Sequence, residues 1–271
     1  ALLFAVTGEL LDKIALAHRQ IYPRSGWVEH DADEIYRNTV QMLSELLAHH
    51  PDLAADVTCL SLTNQRETFV VFDRRSGAPL YHAIVWQCRR GESICNRLVA
   101  EGHEERVHAL TGLKIDTYFP AAKLRWLLDE RPDLRSKLAT GEALFGTIDT
   151  YLIYRLTGGR VYATDHTNAS RTLFYDISAL GWSAELKDVF GVTARRWPDI
   201  RASAAQFGDT DLEGRLARTL PICGVMGDSQ AALFAQRCFA PGSAKVTFGS
   251  GSSVLMNIGE QPVLSPSGIV T

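Results

Sequence analysis

The sequence predicts an α/β domain in which a mixed β-sheet is flanked by helices. Three observations predict it. Short apolar runs at 57–62, 68–72 and 81–86 have the length of strands and are bounded by turn-forming residues. Longer segments elsewhere repeat apolar residues every three or four positions, the spacing of a helix with one buried side. The chain later pairs the two patterns, with a short apolar run at 220–226 followed by helix formers at 231–235. Strands and helices that interleave along a chain pack as layers and not as a helical bundle.

Taken in order, residues 1–6 and 10–17 read as a β-hairpin around Thr7-Gly8-Glu9. The first run starts without an initiator Met and without a preceding turn, so a segment upstream is expected. Asp31 with Glu34 three residues later reads as a capping box. It opens a helix whose Ile35, Thr39, Met42, Leu43, Leu46 and Leu47 share one face. The strands at 57–62 and 68–72 follow, then a turn at Ser76-Gly77-Ala78-Pro79, then the strand at 81–86. Helical patterns begin at Glu92. Leu124, Leu127 and Leu128 line one helix, and Ile148, Leu152 and Leu156 line the next, which Gly158-Gly159 stops. Residues 239–243 read as a hinge or linker, and two further strands, 244–248 and 253–258, surround Gly249-Ser250-Gly251.

Composition narrows the function classes. The chain has 271 residues, 46% hydrophobic and 22% charged, the balance of a soluble globular protein with a substantial core. A net charge of −3 gives no reason to expect nucleic acid or an anionic membrane as partner. No apolar run approaches a membrane span. Five cysteines are scattered with no C-x-x-C pair, which suggests a reducing, cytoplasmic setting. The eight histidines show no zinc-ligand spacing.

Several residues are candidates for chemistry, each with a plainer alternative. Asp228 stands at the junction of strand and helix, behind Gly227, where an open α/β sheet presents residues to its ligand crevice. Its alternative duty is a helix cap. Arg66-Glu67 offers a planar fork of donors beside two acceptor oxygens, a pair suited to vicinal hydroxyls; otherwise it is a surface ion pair. Trp86, ending an apolar strand, could wall a sugar or polyol pocket or plug the core. Pro120 fits the first turn of a helix, but nothing structural explains the polar Tyr118 and Lys123 around it. Gly249-Ser250-Gly251 is either a tight turn or a place where backbone amides approach a phosphate. A dinucleotide fingerprint is excluded there, since no helix follows the glycines.

Together these stretches resemble the FGGY carbohydrate kinases, and within that family the members that act on glycerol. The resemblance is carried by Gln20-Ile21-Tyr22-Pro23 with Gly26-Trp27-Val28-Glu29-His30, TNQRET at 63–68, AIVWQCRR at 83–90 and Phe145-Gly146-Thr147-Ile148-Asp149-Thr150. It continues through TNASRT at 167–172 and GDSQAALF at 227–234, and Tyr118 to Glu130 fits the signature Y-x-P-x-x-K-L-x-W-L-x-D-E. It implies an actin-like, ribonuclease-H-like substrate domain at 1–238. Residues 239–271 would be the linker and opening strands of a second, truncated actin-like domain that binds ATP. The implied reaction is ATP- and Mg²⁺-dependent phosphorylation of a polyol, glycerol to glycerol 3-phosphate. Asp228 would be the general base and a water-mediated Mg²⁺ ligand, Arg66, Glu67 and Tyr118 would hold hydroxyls, Trp86 would lie along the carbon chain, and Ser229 would border the substrate. Gly249, Ser250 and Gly251 would contact ATP phosphates. Homodimers or homotetramers are implied as well.

Four departures from the family pattern matter. The opening phosphate loop, D-x-G-T-T-S-x-R, has no match. The nucleotide domain has barely begun at Thr271, which allows the alternative of a non-catalytic polyol-binding module. Ser229 and Ser253 replace larger side chains and enlarge the pocket, so erythritol, xylitol or xylulose is an alternative substrate. Finally, Glu213 to Thr219 lacks the Gly-rich character of a fructose 1,6-bisphosphate loop, and that regulation is not expected.

Overall fold

A computed structural model of the chain describes residues 1–248, 252–265 and 269–271. Its centre is a pair of antiparallel strands, Phe69–Asp73 and Ala143–Thr147, running from Phe69 opposite Thr147 to Asp73 opposite Ala143. Nearly every side chain of both is buried, because each strand is covered on both faces. Ala83–Ile84 and then Glu29–His30 extend the sheet on the far edge of Phe69–Asp73, making four strands.

Side-chain alternation sends neighbouring residues into two separate cores. Phe69, Val71, Ala143 and Phe145 face one layer, packed with Leu98, Leu124, Leu127 and Leu134. Those residues come from helices Glu92–Ala100, Pro120–Glu130 and Pro132–Thr140. Val70, Phe72 and Leu144 face the other layer. There they meet Tyr36 and Val40 of helix Ala32–His49 and Tyr151 and Leu152 of helix Ile148–Leu156.

A second, mixed sheet positions the site. Leu60–Asn64 and Leu220–Gly227 run parallel, with Met226 opposite Thr63 and Gly227 opposite Asn64, while Asp209–Thr210 pairs antiparallel with the start of Leu220–Gly227. The short strands Ala163–Asp165 and Asp199–Arg201 form a further parallel pair.

Several expectations need correction. The strand expected at 81–86 shrinks to Ala83–Ile84: the Val85 amide still bonds the Val28 carbonyl at 3.1 Å, but the chain then turns, with the Cys88 amide on the Val85 carbonyl at 3.0 Å. The strand expected at 57–62 starts at Leu60 and runs on to Asn64. The first hairpin is only Leu2–Phe4 with Leu10–Lys13, and its tip is solvated, with Val6 99% exposed. Half of the capping box forms. The Asp31 carboxylate accepts from the amides of Asp33 and Glu34, but Glu34 turns away to accept from the amide and Nε of Arg19. The buried face of that helix is rotated toward Tyr36, Val40 and Leu46, leaving Ile35, Leu43 and Leu47 at its margin.

The helix stop at Gly158-Gly159 is present, with both glycines at positive φ after Leu156. Residues 239–243 make a hydrogen-bonded turn tied to Asn257, and Ala244–Thr247 pairs with Ser253–Met256. Gly249, Ser250 and Gly251 lie outside the described residues.

Candidate active site

The parallel strands Leu60–Asn64 and Leu220–Gly227 end at the same level, so the residues just past their ends share one rim. Such carboxyl ends form the ligand crevice of open α/β sheets. On one side the chain reverses through Arg66 and Glu67 to enter Phe69–Asp73. The reversal is tight, with the Thr68 amide bonding the Arg66 carbonyl at 2.8 Å and Glu67 held at φ +63°. A left-handed conformation at a non-glycine residue costs of order 1–3 kcal/mol and persists only where the surroundings enforce it.

That turn leaves Arg66 9% and Glu67 2% exposed. The reading of this pair as a surface ion pair is therefore corrected: both are buried. The Arg66 stem lies over bare Gly227 backbone, where an added Cβ would stand 2.5 Å from Arg66 Cδ. Its Nη1 donates to Gln230 Oε1 at 3.1 Å, and its Nε stands 3.5 Å from Asp228 Oδ1 and 3.8 Å from Glu67 Oε1. That Nε is buried and makes no hydrogen bond among the described residues. The closer partner of Glu67 is Arg171, whose Nε donates to Glu67 Oε1 at 2.9 Å and whose guanidinium stacks 4.9 Å from the Phe119 ring.

Asp228 begins the helix Asp228–Ala235, with Gly227 as cap and no side-chain capping bond. Among the described residues its Oδ1 accepts a hydrogen bond only from the adjacent Ser229 amide, at 2.6 Å, and its side chain is 57% exposed. The carboxylate thus faces the rim and does not close the helix end. Ser229 sits beside it, half-buried.

Two aromatic side chains form a wall. The rings of Trp86 and Tyr118 lie 5.4 Å apart, both half-buried against the first core. Burial pushes the Tyr118 phenol upward in pKa, and Glu67 and Asp228 push the same way while Arg66 and Arg171 oppose. One hydroxyl therefore lies in the field of all four charged residues.

Lys123 now has an explanation. Wholly buried, its Nζ donates to the carbonyls of Val85, Trp86 and Tyr118 at 3.1, 3.3 and 3.2 Å. Three acceptors saturate an ammonium group; burial pulls its pKa down to about 7, against the opposing fields of Cys88 and Glu67. The lysine ties together the two segments that carry the wall.

A polar chain lies beneath the rim. The Gly227 amide donates to Thr167 Oγ1 at 2.8 Å, and that hydroxyl donates to Asp165 Oδ2 at 2.7 Å. Asp165 also accepts from the Ser203 hydroxyl and from both nitrogens of Asn168. Asn168 and Asn64 exchange amide hydrogen bonds of 2.9 and 3.1 Å, and Asn64 approaches the buried Asp149 at 3.5 Å. Burial, then the negative Asp165, push Asp149 up to about 7.

Arg66, Glu67, Tyr118 and Asp228, named from the sequence, thus converge on one rim, with Trp86 on the wall beside Tyr118 and Ser229 next to Asp228. Sequence reasoning missed Arg171 and Thr167 as site residues. Both stand in TNASRT, but neither carries a local pattern that marks it. Among the described residues no group of three or more His, Cys, Asp or Glu is arranged to hold a metal ion.

Fold and rim define an α/β domain with opposed charges and an aromatic wall beside the carboxyl ends of two parallel strands. The chain belongs to the FGGY family of carbohydrate kinases, whose N-terminal-domain model matches residues 1–235. Glycerol kinase 1 of Thermotoga maritima is 44% identical over 270 residues, spanning 100% of this chain and 55% of that protein. The glycerol kinase of Polaromonas naphthalenivorans is 48% identical over 261 residues, 95% of this chain and 52% of the relative. Among solved structures, Plasmodium falciparum glycerol kinase with ADP superposes with a TM-score of 0.92 at 35% identity, covering 98% of this chain and 53% of that one. A xylulose kinase from Lactobacillus acidophilus shares the fold, with a TM-score of 0.85 at 18% identity. The architecture is the actin-like, ribonuclease-H-like α/β fold. This chain spans about half the length of the curated relatives it matches.

Proposed function

We propose that this chain is the polyol-binding half of an ATP-dependent kinase that converts glycerol to glycerol 3-phosphate. The observation that carries the reading is the placement of an exposed carboxylate, Asp228, 3.5 Å from buried Arg66, on the rim shared with Glu67, Arg171 and Tyr118. A hydroxyl both donates and accepts, so a rim alternating carboxylates with guanidinium groups suits neighbouring hydroxyls. Arg66 Nε, a buried donor without a hydrogen bond, is available to a substrate oxygen. Glu67, held by Arg171, accepts from a second hydroxyl, and Trp86 covers the carbon chain.

Asp228 accepts the proton of the attacking hydroxyl as its oxygen forms the bond to the γ-phosphorus and the bond to ADP breaks. Magnesium fits this site as an ion brought with the nucleotide. It takes one or two carboxylates plus phosphates and keeps much of its water, and Asp228 Oδ2 accepts no hydrogen bond from the described residues. Asp228 would hold it through water, and the ion would neutralise charge on the phosphates.

Glycerol is favoured over a longer polyol because the curated relatives that match at 42–48% identity carry the name glycerol kinase. Residues 1–238 form the substrate domain in this reading. Residues 239–271 form the linker and first hairpin of the nucleotide domain, which presents Val254 (64% exposed) and Met256 (57% exposed) for further packing. Gly249, Ser250 and Gly251 contact the ATP phosphates, and unpaired cysteines suit a cytoplasmic enzyme.

The test is Asp228→Asn in the protein that carries this chain. Turnover should fall by ~10²–10⁴ while glycerol affinity changes little. Turnover near the wild-type rate removes Asp228 from this role.

A further inference from the structure

A cavity of about 220 Å³ opens at the other end of the four-stranded sheet, lined by Arg74, Arg160, Arg196 and Arg201 around Tyr154 and Tyr162. Three separate segments bring these arginines together. Arg74 follows strand Phe69–Asp73, Arg160 follows helix Ile148–Leu156, Arg196 precedes strand Asp199–Arg201, and Arg201 ends it. Leu144 also lines the cavity, whereas Thr147, at the other end of its strand, pairs with Phe69 just past Glu67. The cavity is therefore separate from the Asp228 rim.

The charge around it is unbalanced. Asp199 is the one carboxylate among the lining residues, and it stands 3.9 Å from Arg201 with its own side chain 76% exposed. Among the described residues Arg74, Arg160 and Arg196 have no carboxylate within the 4.0 Å of an ion pair. Elsewhere arginines commonly do, as Arg106 with Glu185 at 2.6 Å and Arg131 with Asp133 at 2.9 Å. In a chain of net charge −3 this is a local excess of cations. Like charges gathered in one cavity repel, and an anion relieves that repulsion.

Part of the arrangement is held in place. Arg160 Nη2 donates to the Asp209 carbonyl at 3.1 Å and Arg201 Nη1 to the Gln206 carbonyl at 2.8 Å. The Arg74 backbone is fixed at both ends: its amide donates to the Glu142 carbonyl at 2.8 Å, and its carbonyl accepts from the Tyr154 hydroxyl. Arg74 and Arg196 line the cavity beside Tyr154 and Tyr162. Guanidinium forks match the oxygens of phosphate bidentately, and Leu144, Tyr162 and Trp197 complete a lining whose open surface is mostly polar.

We propose that this cavity is a second ligand site, one that binds a phosphate anion, free or as a monoester on a small organic body. The test is calorimetric titration of inorganic phosphate and of phenyl phosphate into the 271-residue chain at low ionic strength, where exposed charges are least screened. One site is expected, weakened at least tenfold by Arg196→Glu and left unchanged by Arg66→Gln in the Asp228 rim. The tighter of the two ligands tells a free phosphate from an ester. Arg74 and Arg196 are exposed, so Arg74→Gln and Arg196→Glu should keep the wild-type melting temperature. No binding at millimolar phosphate, binding that survives Arg196→Glu together with Arg74→Gln, or binding lost with Arg66→Gln would each overturn the proposal. None of these outcomes bears on the kinase reading, which is tested separately at Asp228.

Discussion

Glu67 combines two costs, a left-handed backbone at φ +63° and a carboxylate only 2% exposed. Backbone strain of this kind and a buried charge are each of order a few kcal/mol unless compensated. The compensation is Arg171 at 2.9 Å and, more distantly, Arg66 at 3.8 Å. Arg171→Met should therefore lower stability by roughly 3 kcal/mol, the lower end for breaking a buried pair because Arg66 remains. Glycerol affinity should fall at least ~10-fold, the cost of misplacing one charge-assisted hydrogen bond. Urea melts and calorimetric titration check both, with Arg171→Lys recovering part of the binding. Unchanged glycerol affinity in Arg171→Met would separate Glu67 from the substrate. Arg66 and Glu67 were legible because they are adjacent at a strand end. Arg171 was not, since it lies 104 residues from Glu67 and an isolated arginine has no spacing to read. Lys123 fell between these cases. Its polarity at a helix start could be noticed, but its three carbonyl partners belong to segments that only the fold brings together.

The helix Asp228–Ala235 buries none of its residues, so packing does little to hold its first turn. Hydrogen bonds hold it: Arg66 Nη1 donates to Gln230 Oε1 at 3.1 Å, and the Gly227 amide bonds to Thr167 Oγ1 at 2.8 Å. The direction of the bonds matters. The Thr167 proton goes to Asp165 at 2.7 Å, which leaves an oxygen lone pair for the Gly227 amide. Thr167→Val keeps the shape but removes both bonds and leaves a buried amide unpaired. Turnover should fall about tenfold or more, since small displacements of a catalytic group are costly, while KM stays within about twofold because Arg66, Glu67 and Arg171 are untouched. Thr167→Ser should restore the rate. Equal loss in the Ser and Val variants, measured by steady-state kinetics, would show that the hydroxyl does not position Asp228. Among elements, the strand Leu220–Gly227 and its helix were legible because an apolar run meets helix formers at one glycine. The stretch 81–86 misled because its apolar residues serve two purposes: Ala83 and Ile84 join the sheet, and Trp86 leaves it to wall the rim. Periodicity cannot separate those roles.

At the scale of the whole molecule, two layers of helices close over both faces of the central strands, and ionisable groups are trapped inside. Asp149 and His30 show what this does. Asp149, with no exposed surface, is pushed up to about 7 by burial and by Asp165. An acid with a raised folded pKa stabilises while protonated, so its contribution is fully present below about 3.8 and is lost as pH rises through about 7. His30, 2% exposed, is pulled down to about 4 by burial and by His18. A base with a lowered folded pKa contributes above about 6.5, and that contribution is lost as pH falls through about 4. Between about pH 4 and 6.5 the two slopes oppose each other, and their sum in the native protein is shallow. Asp149→Asn removes one slope and keeps an acceptor oxygen for the Thr164 hydroxyl, which donates to Asp149 Oδ2 at 2.7 Å. Stability of that variant should rise with pH across this window. Relative to wild type it should gain by up to about 1.4 kcal/mol per pH unit toward neutrality. Urea midpoints for both proteins at pH 4.5, 5.5 and 6.5 measure the difference directly. A difference that stays constant over that range would mean that Asp149 is already ionised in the folded state, and the Asn64–Asn168–Asp165 network beneath the rim would then have to accommodate two buried negative charges.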